Sequence, residues 1–293
     1  TEVGVNTRWG ITPNLTLSAT VNPDFSQVES DVAQVQFDPR QAVRFPEQRP
    51  FFLENSENFD VPGGIIHTRT VADPLGAVKL AGKIAGTTIG LLSAVDDTAV
   101  STGGHHPVVN LLRVRRDLGD VSTLGLAYTD RIDGDDYNRV ASLDGKLVLG
   151  SHTLRVQGAG AFTRAAGSET AGPLWDARIE RSGREWGWSA SLRGIDDEFL
   201  PASGFLSRTG VVYQSITPRR SFYWETGSFL ESWSTAVNFN NTWLYDRFTG
   251  VADGAVSGGR ASRREQSGGP SSWRRRDAAG RPPCRSAGTP PPA

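Results

Sequence analysis

Methionine is absent from this 293-residue chain and cysteine occurs once. No stretch approaches the ~18 consecutive apolar residues of a membrane-spanning helix. Without methionine, Thr1 is not expected to be a natural translation start, and the chain reads as a fragment lacking its own N-terminal portion. No basic segment followed by an apolar run opens it, so no signal peptide is read. The lone Cys284 excludes an internal disulfide. Hydrophobic residues make up only 37%, low for an ordinary globular domain and for a helical membrane protein. Charge of one sign is also missing overall, the net being -1. It is unevenly spread: residues 251–293 hold eight Arg against Asp253, Glu265 and Asp277, which is +5 there and leaves -6 for the first 250. A mildly acidic body gives no reason to expect nucleic acid as a partner.

What is present is a rhythm. Tight turns read Leu118-Gly119-Asp120, Gly150-Ser151, Ser182-Gly183-Arg184 and Pro218-Arg219-Arg220, and longer polar connections run 97–107, 131–139, 164–172 and 197–209. Between them lie strands of roughly ten residues, the length and loop alternation of an outer-membrane barrel. Within the strands, polarity alternates with period two. Leu15, Leu17, Ala19 and Val21 oppose Thr16, Ser18 and Thr20, and Ala141, Leu143, Leu147 and Leu149 oppose Ser142, Asp144 and Lys146. Trp186, Trp188, Ala190 and Leu192 oppose Ser189, Ser191 and Arg193, and Trp233, Val237 and Phe239 oppose Ser234, Asn238, Asn240 and Thr242.

A soluble sandwich shows the same alternation. Two features favour one face in lipid and one in water. Aromatics stand at strand ends (Trp9, Tyr128, Phe162, Trp175, Trp186, Trp243), as an interfacial girdle requires. The polar faces also carry Asp144, Lys146, Arg155, Asp176, Arg178, Glu180 and Arg193, and charge is cheap in a wet lumen but costly in a dry core.

The expected fold is therefore all-β: an incomplete, antiparallel up-and-down outer-membrane β-barrel over 1–250 with about thirteen spanning strands. The strands are placed at 1–9, 15–22, 76–83, 87–96, 108–117, 121–130, 140–149, 153–163, 173–181, 186–195, 210–218, 221–230 and 232–245. An ordered insert, 23–75, separates the second from the third, with Ile65–Thr70 inside it rather than spanning. An odd, unclosed set implies an open edge. Residues 251–293, rich in Arg, Gly and Pro, read as a disordered basic tail, a patch for lipid phosphates, or a translation in the wrong frame.

The insert opens as NPDFSQVESDVAQVQFDPRQAVRFPEQRPFFLE, where Pro23, Pro39, Pro46 and Pro50 forbid a continuous helix or central strand. It reads as a loop folded into the barrel mouth, held by Phe45, Phe51 and Phe52 and by Arg–carboxylate pairs, and as a constriction selecting what passes. Candidate binding residues are Asp24, Glu29, Asp31, Arg44, Glu47, Arg49 and Glu54. The run PNLTLSATVNPDFSQVESD followed by FPEQRPFFLE resembles a family of bacterial outer-membrane proteins. Their layout is a signal peptide, a carbohydrate-binding family 9-like β-domain, and a barrel-forming domain of unknown function. LLRVRRDLGDVSTLGLAYTDR, RIERSGREWGWSASLRGIDDEF and GFLSRTG are similar to the same family, so the likeness covers most of 1–250. It implies an outer-membrane barrel and offers no catalytic residue to transfer. The family-9-like domain would precede Thr1, so carbohydrate binding does not carry over to this piece.

Catalytic motifs are scarce. Asp135-Asp136 and Asp196-Asp197-Glu198 invite a glycosidase reading, which needs two carboxyls ~5–10 Å apart. Asp24, Glu29 and Asp31 supply oxygen ligands but lack the ordered calcium-loop pattern, and His105-His106 lack nearby partners for zinc. His152, beside a tight turn, is the one wall position for a hydrolase base, without a matching nucleophile. No cofactor is expected. The expected role is transport or surface binding at the outer membrane, with membrane lipid as partner and saccharide as a candidate ligand of the intact protein. An outer-membrane hydrolase acting on glycans or lipids is the alternative.

Overall fold

Period-two alternation makes extended chain with two distinct faces, and tight turns fold each strand back on its predecessor. The computed structural model, which describes residues 4–23, 45–101 and 103–250, carries this through thirteen strands. They are β1 (Val5–Thr12), β2 (Leu15–Val21), β3 (Pro74–Ile84), β4 (Thr87–Asp96), β5 (Val108–Leu118), β6 (Ser122–Asp133), β7 (Asp136–Leu149), β8 (His152–Ala165), β9 (Ser168–Arg181), β10 (Trp186–Ile195), β11 (Val211–Tyr223), β12 (Ser232–Ala236) and β13 (Phe239–Leu244). Neighbours in sequence are neighbours in one antiparallel meander from β1 to β12, with β13 also on β11. The sheet is not closed; β1 and the β12–β13 edge are its two open sides among the described residues. The expected tail, 251–293, lies outside them.

Three local expectations need correcting. The connections at 131–139 and 164–172 are two-residue hairpins, Gly134-Asp135 and Ala166-Gly167. Ala166 and Gly167 both have positive φ (50° and 78°), as a type I′ turn requires, and Gly134 (φ 64°) supplies the first position of a II′ turn. Polar rungs carry the strands past the point where alternation stops: Arg139 pairs with Asp130 at 3.2 Å and Arg164 with Glu169 at 3.1 Å. Backbone pairing does not need apolar side chains, so the polarity of these stretches misled.

The third correction is Pro218-Arg219-Arg220, which is no turn but the middle of β11. The expected strand 221–230 dissolves into the end of β11 and the connection after it, and the expected 232–245 is divided into β12 and β13. Those two lie in line along β11 in one continuous register, Arg219 opposite Ala236 and Ile216 opposite Phe239. The gap falls opposite Pro218, whose carbonyl accepts from the Val237 amide at 3.1 Å but which has no N–H to return. With that turn removed, β10 and β11 are joined by the long 196–210 connection, and β11 and β12 by the shorter 224–231.

Register divides the side chains into two sets. One face carries Lys79, Leu92, Leu111, Arg113, Ala127, Asn138, Val140, Ser142, Gln157, Ala161 and Leu174, all buried. The other carries Val21, Val78, Leu91, Leu124, Leu126, Leu143, Val156, Ile179 and Ile216, all exposed. The six aromatics expected at strand ends all belong to this second face.

The described part of the insert fills the first face. It contains one α-helical turn, α1 (Pro50–Leu53), and 3-10 turns at Ser56–Phe59, Pro62–Gly64 and Thr68–Thr70; the last confirms that Ile65–Thr70 does not span. Phe52, Phe59 and Val71 pack on Ala77, Ala81, Leu92, Ala94, Val109 and Leu111. Val61 and Ile65 pack on Ala127, Val140, Ala161, Leu174 and Ile195, joined by Phe199 from the 196–210 connection. Burying each large side chain here stabilises by about 1.5–3 kcal/mol, enough to hold an irregular segment in place. Of the aromatics expected to anchor it, Phe52 does so and Phe51 packs beside it, whereas Phe45 is exposed.

Candidate functional site

Irregular backbone inside a sheet must find partners for its own amides and carbonyls, and the polar residues of the buried face supply them. Lys79 donates to the carbonyls of Phe51 and, at 2.6 Å, Glu54, with its ammonium 4.8 Å from the Phe51 ring centre. Gln157 donates to Pro62 O at 2.7 Å, Arg193 to Gly63 O at 3.1 Å and Arg131 to Thr70 O at 3.0 Å. Asn138 bridges the other connection, donating to Leu200 O at 2.6 Å and accepting from the Ala202 amide at 2.9 Å. That connection meets the insert directly, since the His67 amide donates to Ser203 O and the Phe205 amide to Gly64 O. Insert and 196–210 thus form one polar-lined body across the sheet from β3 to β10.

Inside the insert, Glu47 and Arg49 make a clasp. Arg49 is 5% exposed, and its Nε and Nη2 each reach a Glu47 carboxylate oxygen at 2.8 Å. The same guanidinium donates to Val71 O at 2.6 Å and Thr68 O at 3.0 Å and lies 4.2 Å from the Phe52 ring centre. The Thr68 hydroxyl donates to Glu47 at 2.8 Å. Entry and exit limbs of the insert are tied together by these contacts. Burial works against the charged form of Glu47, but the hydrogen bonds and charge of Arg49 and the Thr68 hydroxyl outweigh it and hold the carboxyl below its ordinary range. Glu54 stands apart, paired with Arg8 of β1. Of the sequence candidates, then, Glu47 and Arg49 come together in a structural clasp, Glu54 faces the β1 side, and Asp24, Glu29, Asp31 and Arg44 lie outside the described residues. The calcium reading of Asp24, Glu29 and Asp31 lies there too.

Beyond the insert, Arg113 on β5 reaches over β6 to Asp144 on β7, both guanidinium ends bonded to the carboxylate, the longer contact at 3.0 Å. The pair is almost fully buried, at 2% and 8% side-chain exposure. It crosses β6 at Gly125, where an added Cβ would fall 2.7 Å from Nη2 of Arg113 and 2.8 Å from Cζ. Arg113, Lys79, Gln157 and Asn138 were not singled out by sequence reasoning. The only signal for them was membership of a polar face, shared with many other residues.

The chemistry sought in the loops resolves into architecture. Asp136 accepts the Ala166 amide at 3.0 Å, tying one hairpin to the next. Burial pushes the Asp196 carboxyl up; the Glu198 amide opposes this and the Asp197 charge adds to it. His106 Nδ1 lies 3.2 Å from Asp96 O, and the His105 amide donates to the Ser101 hydroxyl at 3.2 Å. The His152 ring packs edge-on near Trp188, with the Ser151 hydroxyl at 3.5 Å. No group of three or more His, Cys, Asp or Glu able to hold a metal occurs among the described residues. Two open grooves flank the insert: one of about 530 Å³ between its tip (Asn55, Glu57, Asn58) and the β3–β4 turn, and one of about 380 Å³ between Pro50–Glu54 and β1–β2.

Residues 1–83 match a family described as Domain of unknown function (DUF5916). The match spans β1, β2, the insert and all but the last residue of β3. No curated protein and no solved structure matches the chain.

Proposed function

We propose that this chain forms a barrel wall in the bacterial outer membrane, with the insert as a constriction that selects a solute for transport or surface binding. The observation that carries this reading is the inversion of the two sheet faces. Charged and amide side chains are buried against the insert while Leu, Val, Phe and Trp stand exposed on the opposite face. In water such a face would be an aggregation surface far larger than monomeric proteins tolerate. In a bilayer it is the ordinary lipid-facing wall, and its end-of-strand aromatics suit the headgroup level. No described helix is long and apolar enough to cross a membrane, which leaves strands as the crossing element to be tested. A solute would be selected by pore size and by the charges left open beside the insert.

The test joins location to function. The full chain should float with phospholipid vesicles and migrate differently on gels before and after boiling. In planar bilayers, deleting 45–73 should raise conductance. A protein that stays with the aqueous fraction without detergent would sink the membrane reading. Unchanged conductance on deletion would sink the constriction. Saccharide remains the candidate ligand of the intact protein; the hydrolase alternative has no specific geometry in its favour.

A further inference from the structure

On the insert-facing side of the sheet, register places three cations directly opposite one another on consecutive strands: Lys146 on β7, Arg155 on β8 and Arg178 on β9. Like charges directly opposite on one face destabilise a sheet, so a row of three is a cost that packing does not explain. The carboxylates nearby do not balance it. Asp144 is committed to Arg113, and Asp176 stands 3.9 Å from Arg193. Glu180 alone is shared between Arg155 at 2.6 Å and Arg178 at 3.4 Å. The Lys146 ammonium makes no ion pair or hydrogen bond with another described residue, the backbone alone pairing with β6 and β8. Arg115, on the same face of β5, has its Nε buried without a partner.

The row is also open. The described part of the insert meets β8 and β10 at Gln157 and Arg193, one rung nearer the 196–210 end of the sheet, and among the described residues it makes no contact with the rung below. Arg155 and Arg178 keep 43% and 49% side-chain exposure. Adjacent strands lie about 4.8 Å apart, so the three cations form a ladder at that spacing. Guanidinium groups meet carboxylate, sulfate or phosphate through paired N–H donors, and an ammonium adds a compact charge at the end.

From this we infer that Lys146, Arg155 and Arg178 form a binding ladder for a polyanionic solute, one bearing several carboxylate, sulfate or phosphate groups along a short chain. This rests on the proposed function only in making the ladder part of a passage; the binding itself needs no membrane. Glu180 spaces and orients the two arginines and is displaced in part when the solute's own anions arrive.

The probe is a heparin-derived tetrasaccharide, titrated calorimetrically at low salt into the full chain in detergent micelles, with maltotetraose as the uncharged comparison. Wild type should bind the sulfated chain and not the neutral one. The double variant Lys146→Gln/Arg178→Gln should lose at least tenfold in affinity, while Lys146→Arg, which keeps the charge and adds paired donors, stays within about threefold. Arg164→Gln/Arg208→Gln removes the same charge away from the ladder and should bind as wild type. Absence of binding by wild type overturns the inference, as does equal loss in the Arg164/Arg208 variant or full retention in the Lys146→Gln/Arg178→Gln variant. Circular dichroism on each variant separates misfolding from lost binding, and vesicle flotation reports separately on the membrane reading.

Discussion

Replacing Leu143 by arginine asks the outward face which solvent it meets. Leu143 is 60% exposed on β7, opposite Leu126 of β6. It stands seven residues from Asp136 and six from Leu149, the two ends of the strand. At ~3.3 Å per residue and ~45° tilt, that is about 16 Å and 14 Å along a membrane normal, close to the middle of an apolar band ~25 Å tall. Arginine there should cost about 2–4 kcal/mol, whereas the same change at Leu149, at the rim and 69% exposed, should cost no more than about 1 kcal/mol. If water wets both faces, both substitutions are surface changes within about 0.5 kcal/mol of wild type. The assay is urea unfolding from phospholipid vesicles followed by tryptophan emission, with the slope checked for constancy. A Leu143→Arg variant as stable as Leu149→Arg would refute the reasoning outright.

Removing one member of the Arg113–Asp144 pair, by Asp144→Ala or Arg113→Ala, should destabilise by about 3–5 kcal/mol because the other charge is left buried. Replacing both by leucine should recover much of that loss, and strictly additive single effects in urea titrations would contradict the coupling. The Glu47 clasp should give a pH-dependent insert. Its folded-state value is depressed, so the stabilisation is complete above the ordinary value of 4.5 and is lost as pH falls through the lower folded value. Pepsin should therefore cut the insert much faster at the bottom of its acid range than near pH 5, and Glu47→Gln should flatten that difference. Pro218→Val restores an N–H opposite Val237, so amide exchange over 236–239 should slow as β12 and β13 become one strand; unchanged exchange would mean that something else breaks the ladder.

Alternation along each strand was enough to assign the sheet and its two faces, because a period of two ties every residue to a side once one neighbour is placed. Leu15–Val21, Ala141–Leu149 and Trp186–Arg193 behave as their polarity dictates, and the length of the insert and the open edges follow from the same pattern. Tertiary structure alone decided where polar residues continue a strand and where they end it. Asp133–Asp136 and Ala165–Ser168 are hairpins because their glycines accept positive φ, and Pro218 stays in a strand because its missing donor faces a neighbour that tolerates the loss. Tertiary structure also separated Glu47 and Arg49, which close the insert on itself, from Lys146, Arg155 and Arg178, an exposed row in which the two arginines share the single carboxylate of Glu180. Composition treats all five as charges on a polar segment; only the three-dimensional pairing of donors with acceptors tells a satisfied charge from an available one.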